Sequence, residues 1–118
     1  MKITATFIKS LMKTLENLSI STCYNVRLEY DDENEKIIRF EDVDNTTFSL
    51  YFYNLDNDCE MQITWFDLDK KGHWAGTYKL DAYTKDTFLM TLAIDIVQKR
   101  AAAVEYISKQ YEAVYAAE

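Results

Sequence analysis

The sequence predicts an α+β fold: a four- to five-stranded antiparallel meander sheet, with an N-terminal helix and a long C-terminal helix packed on one face. Three observations lead there. Apolar residues recur every three or four positions near the start of the chain and again over its last third, which is the spacing of amphipathic helices. Between those segments the period falls to two, as in strands with one face on a core and one in water. The breaks between the strand-like runs are short and rich in Asp and Asn, which allows hairpins but not the long crossovers that parallel strands require.

In the first segment Ile8, Leu11, Met12, Leu15 and Leu18 share a face, with Lys9, Lys13 and Glu16 opposite. Thr4 or Thr6 is the expected N-cap. Five alternating runs follow. Tyr24, Val26, Leu28 and Tyr30 form the first inward set; Ile38 and Phe40 the second; Phe48, Leu50 and Phe52 the third; Cys59, Met61, Ile63 and Trp65 the fourth. The fifth is weaker and places Trp74, Tyr78 and Leu80 inward. Tyr51, Tyr53, Phe66 and Tyr83 then fall on the solvent side. The connecting segments DDENE, DVDN, NLDND and DLDKKGH supply Asn and Asp, which tolerate left-handed turn geometry in a chain with two glycines and no proline.

The last helix begins at a Thr84 cap, with Asp86 in the first turn, where the helix dipole favours a negative charge. Its stripe is Leu89, Leu92, Ala93, Ile96, Ala103, Val104, Ile107, Tyr111 and Val114. Such a helix is ~48 Å long, whereas five strands make a sheet only ~20–25 Å wide. A straight helix therefore overshoots its sheet.

The 118 residues suit one domain over residues 1–118. Gly72 and Gly76 cannot build a phosphate-cradling GxGxxG or GxxxxGK[ST] loop. No apolar run reaches the ~18 residues of a membrane span, and Lys9 and Lys13 interrupt any signal-peptide core. Cys23 and Cys59 lie 36 positions apart without a CxxC pattern and read as reduced core thiols. A cytoplasmic location is expected.

Candidate chemistry is sparse. Asp67, Asp69 and Gly72 begin a calcium-loop pattern, but Lys71 stands at the fifth position and Tyr78 at the twelfth, where oxygen ligands belong. Asp56, Asp58 and Glu60 alternate without further nominated ligands. His73 is the single histidine and reads as a surface turn residue, and neither cysteine has an adjacent base. The expectation is a non-enzymatic protein without metal or cofactor.

Charge is the informative feature. The net charge is −7, yet residues 28–69 hold 13 acids against Lys36 and Arg39, or −11, leaving +4 elsewhere. One reading is a solvated rim that keeps sheet edges apart. The other is an anionic surface matched to a basic groove, since eleven charges equal those on ~19 Å of duplex DNA. Small acidic α+β chains of this kind resemble, in fold class and charge, the inhibitors that phages deploy against restriction and CRISPR nucleases. That resemblance implies DNA mimicry, a basic nucleic-acid-binding protein as partner, and no direct contact with nucleic acid or membrane. The expected partner-binding residues are Asp31, Asp32, Glu33, Glu35, Asp42, Asp44, Asp56 and Asp58, with Tyr51 and Tyr53 as anchors. The alternative is a dimeric chaperone-like or assembly protein that associates through Val104, Ile107, Tyr111 and Val114 of the last helix.

Overall fold

Hydrophobic period and capping chemistry set the elements in chain order. In the computed structural model, which describes residues 2–17, 23–42 and 46–116, Thr4 Oγ1 accepts a hydrogen bond from Phe7 N at 3.1 Å and starts α1 (Ala5–Glu16). The buried face of α1 is Phe7, Ile8, Leu11 and Leu15, with Met12 partly covered; Leu18 lies outside the described residues. Five strands follow: β1 (Tyr24–Asp31), β2 (Lys36–Glu41), β3 (Thr47–Tyr53), β4 (Glu60–Phe66) and β5 (Gly72–Lys79). They pair antiparallel in the order β1-β2-β3-β4-β5, the predicted meander. A short 3-10 turn, Leu80–Ala82, leads to α2 (Lys85–Ala116). Thr84 caps α2 reciprocally with Thr87: Thr84 Oγ1 accepts from Thr87 N at 3.2 Å, and Thr87 Oγ1 accepts from Thr84 N at 2.9 Å.

The three interior strands obey strict alternation. Ile38, Phe40, Phe48, Leu50, Phe52, Met61, Ile63 and Trp65 all point into one core with both helices. Phe40 and Phe48 stack there at 5.3 Å between centroids. The opposite, open face carries Arg39, Ser49, Tyr51, Tyr53, Gln62, Thr64 and Phe66.

The edge strands depart from the predicted alternation. In β1 the register slips between Tyr24 and Arg27 and again between Leu28 and Tyr30. Directly paired residues share a face, so Tyr24 opposite Glu41 and Tyr30 opposite Ile37 lie on the open side, leaving Val26 and Leu28 on the core. In β5, Ile63 pairs Gly76 while Thr64 pairs Trp74, so Ala75 is a bulged residue. The bulge turns Trp74 onto the open face, 68% exposed, instead of into the core. Tyr83 corrects in the other direction: it packs half-buried against Tyr78 and Phe88. Bulges belong on sheet edges, where they bend the strand away from edge-to-edge pairing.

Asn25, Asn54 and Asp58 have positive φ, as expected of Asn and Asp replacing glycine. Lys70 does too, at +62°. Lys70 N donates to Asp67 O at 2.9 Å and Asp67 N donates to Lys71 O at 3.0 Å, so the β4–β5 hairpin is a turn closed by a left-handed residue, a position that favours glycine.

The α2 stripe follows the predicted one at Leu92, Ile96, Ala103 and Ile107 and adds Phe88. Phe88, Leu92, Ile96, Ala103 and Ile107 are the buried residues, while Leu89 is only partly covered. Gln110 still meets the β4–β5 hairpin, its Oε1 accepting from Leu68 N at 3.0 Å; past it the helix runs off the sheet. Tyr111, Val114 and Tyr115 are 45%, 56% and 69% exposed, and the molecule measures 51 × 28 × 23 Å. No helix among the described residues is long and apolar enough to cross a membrane.

Candidate interaction surface

A meander places alternate turns at opposite ends of its sheet, which sorts the acidic segments into two poles. The β1–β2 turn and the β3–β4 turn share one pole, joined by Leu55 N donating to Asn34 O at 3.4 Å. The β2–β3 and β4–β5 turns share the other. The expected partner-binding acids divide accordingly.

At the first pole Asp31 pairs with Lys36. Asp32, Glu33, Glu35, Asp56, Asp58 and Glu60 have no Lys, Arg or His within ion-pair distance among the described residues. Three of these six carboxylates are held by tyrosines. Tyr30 Oη donates to Asp32 Oδ2 at 2.7 Å, Tyr51 Oη donates to Glu35 Oε1 at 2.8 Å, and Tyr53 Oη donates to Glu60. Tyr51 and Tyr53 also lie ring to ring at 5.2 Å. Asp32 Oδ1 further accepts from Asn34 N and Glu35 N, both at 2.8 Å. The Tyr30 hydroxyl, and then those two amides, hold the Asp32 carboxyl below its ordinary range. The Glu35 hydrogen bond pushes the Tyr51 phenol up to about 12, and Glu60 raises Tyr53. The anchors predicted from sequence thus orient the molecule's own carboxylates. Tyr30 and Glu60 stand outside the set expected from sequence. Glu60 was legible only from strand register, because it stands directly opposite Tyr53.

At the second pole Asp42 and Asp67 are engaged within the molecule, and exposed Asp69 accepts from Gln110 Nε2 at 3.5 Å. Asp42 has no exposed surface and is not a partner-binding acid. Arg100 Nε, from the middle of α2, reaches Asp42 Oδ2 at 2.8 Å, with Cys23 Sγ 3.9 Å from the same oxygen. Asp44 lies outside the described residues. Asp67 is the turn's own acceptor: Oδ1 takes Asp69 N at 2.9 Å and Lys71 N at 3.1 Å, and Oδ2 takes His73 Nε2–H at 2.8 Å. His73 is correspondingly no free turn residue. It stacks on Trp65 at 4.1 Å and meets the Tyr106 ring at 4.6 Å, linking β4, β5 and α2. On the open face Glu29 and Glu41 are taken up by Arg27 and Arg39.

Six carboxylates match the charge on ~10 Å of duplex, about half the length inferred from net charge. Cys59 and Cys23 are buried and outside any disulfide, and burial pushes the Cys59 thiol up to about 11, far from a reactive thiolate. Of the alternative interface, Tyr111 and Val114 are exposed and Val104 is half-buried, but Ile107 is 4% exposed and belongs to this chain's own core.

The described elements define an α+β protein with a bare, polarised sheet face. No protein-family model, curated protein or solved structure matches the chain.

The hydrogen bond from His73, foremost, and those of the turn amides hold the Asp67 carboxyl below its ordinary range. A depressed carboxyl releases its proton on folding, so its stabilising contribution is complete above the unfolded aspartate value. It drains away as pH falls through the folded one. Asp32 acts in the same sense. Urea unfolding is expected to show stability constant from pH 7 to 5 and falling below about pH 4, with the fall reduced in Asp67→Asn relative to that variant's own pH 7 value. An unchanged acid limb in Asp67→Asn would exclude Asp67 as its source.

Proposed function

We propose that the chain is a non-enzymatic interaction protein whose acidic pole occupies a basic surface on a nucleic-acid-handling enzyme, in the manner of a DNA-mimicking inhibitor of restriction or CRISPR nucleases. The supporting observation is the segregation of charge: six carboxylates without ion pairs among the described residues lie at one end of the sheet, three of them fixed by tyrosine hydroxyls. Pre-set carboxylates lose less side-chain freedom on docking than mobile ones, and a patch in which acids outnumber Lys2, Lys36 and Lys79 speeds encounter with a basic groove. The mechanism is steric and electrostatic blockade, weakened by salt.

Glu33 and Asp56 are exposed and serve no turn through their side chains, so Glu33→Lys/Asp56→Lys keeps the fold. DNA cleavage by a panel of restriction and CRISPR nucleases at low salt is the assay. The native protein is expected to compete with duplex DNA for at least one of them. The double variant should require a roughly tenfold or higher concentration for the same inhibition. Equal potency of the two proteins, or no inhibition across the panel, refutes the reading.

The overhanging turns of α2 favour a second reading, a dimeric chaperone-like or assembly protein, now centred on Tyr111, Val114 and Tyr115. Light scattering on the native chain separates the two, because only the second requires a dimer.

A further inference from the structure

At the pole opposite the acidic turns, the open face holds a cavity of about 270 Å³ lined by Arg39, Thr47, Phe66 and Lys70. Arg39 Cζ stands 5.6 Å from the Phe66 ring centroid, and Arg39 Nη1 lies 3.3 Å from Glu29 Oε1. Arg39 Nε is buried and has no hydrogen-bond partner, an uncommon state for a buried donor. Lys70 forms no ion pair among the described residues and occupies the left-handed position of its hairpin, where glycine would relieve strain. Of the nearby carboxylates, Glu41 is taken by Arg27 Nη1 at 2.8 Å, Glu29 is shared by Arg27 and Arg39, and Asp69, beside Lys70, accepts from Gln110 Nε2 at 3.5 Å.

We propose that this notch is an oxyanion site that takes a phosphoryl group. The Arg39 Nε–H, the Lys70 ammonium and the Thr47 hydroxyl come from three separate segments. Such a set suits a tetrahedral anion with three free oxygens better than a planar carboxylate, which prefers the bidentate guanidinium fork. That fork is already committed to Glu29 through Nη1. Phe66 walls the notch and holds the guanidinium by its ring face. The site lies away from the acidic pole and does not depend on what that pole binds.

Thermal unfolding in inorganic phosphate, against chloride at equal ionic strength, tests it. The native melting temperature is expected to rise by roughly 5 °C at tenfold the dissociation constant, and Arg39→Gln should lose that rise. Lys70→Gly is the more discriminating variant. Without phosphate it should melt a few degrees higher, because strain is relieved, yet most of its phosphate response should vanish. A purely structural lysine gives no such pair of opposite changes. Adenosine monophosphate is the second arm: a larger rise than with phosphate assigns the group to a nucleotide, and an equal rise assigns it to free phosphate. No phosphate-specific rise in the native protein, or a full response in Lys70→Gly, overturns the proposal.

Discussion

Arg100→Ala is expected to cost about 3–5 kcal/mol in urea unfolding, the effect of breaking a buried ion pair by removing one partner. Asp42 is wholly covered and the Arg100 side chain is 14% exposed. Deleting the guanidinium therefore leaves a carboxylate in the interior, close to the Cys23 thiol and without its cation. The lost stem also removes apolar cover from the helix–sheet seam. Lysine is a poor replacement, since a point charge on a flexible stem does not reproduce the Nε–H geometry. The paired replacement Asp42→Leu/Arg100→Met should recover most of the loss, because exchanging both charges for apolar groups of similar size is often neutral. A loss below about 1 kcal/mol in Arg100→Ala would show that the carboxylate is hydrated in solution.

That pair also marks where sequence reading stops. Alternation in β2, β3 and β4 is a local property of each strand, and the sequence shows it without ambiguity. The threonine caps and the Asn and Asp turns are equally local. A carboxylate in a hairpin turn reads as solvated, however, until a cation 58 residues away is known to lie beside it. The edge strands fail for a different reason. A bulge shifts the phase of alternation by one residue, and no residue type in β1 or β5 marks where that happens except Asn25 and Gly76, both at positive φ. Simple alternation therefore puts Tyr24, Tyr30 and Trp74 on the wrong face. In α2 the buried line through Leu92, Ile96, Ala103 and Ile107 is legible from the helical period, whereas Phe88 at its start is not, since Leu89 beside it extends the same apolar face. The division of the acidic turns into two poles follows from meander topology, whereas the tyrosine–carboxylate contacts needed the register.

Phe88→Ala is expected to cost about 3–5 kcal/mol, the range for deleting a buried aromatic ring. The ring has no exposed surface and stands 5.8 Å from Phe7 of α1, 5.9 Å from Tyr78 of β5 and 6.1 Å from Tyr83. It is the point where both helices and the sheet meet, so its cavity loosens α1 as well as α2. Hydrogen exchange should accordingly show lost protection in α1, which the substitution does not touch directly. Tyr115→Ala provides the contrast. Its side chain lies beyond the sheet, and a surface substitution of that kind changes stability by no more than about 0.5 kcal/mol in a monomer. A loss at Tyr115 approaching that at Phe88, and growing with protein concentration, would mean that the overhang is covered by a second copy. The assembly reading would then displace the inhibitor reading, because helix burial would supply the association and the acidic pole only solubility.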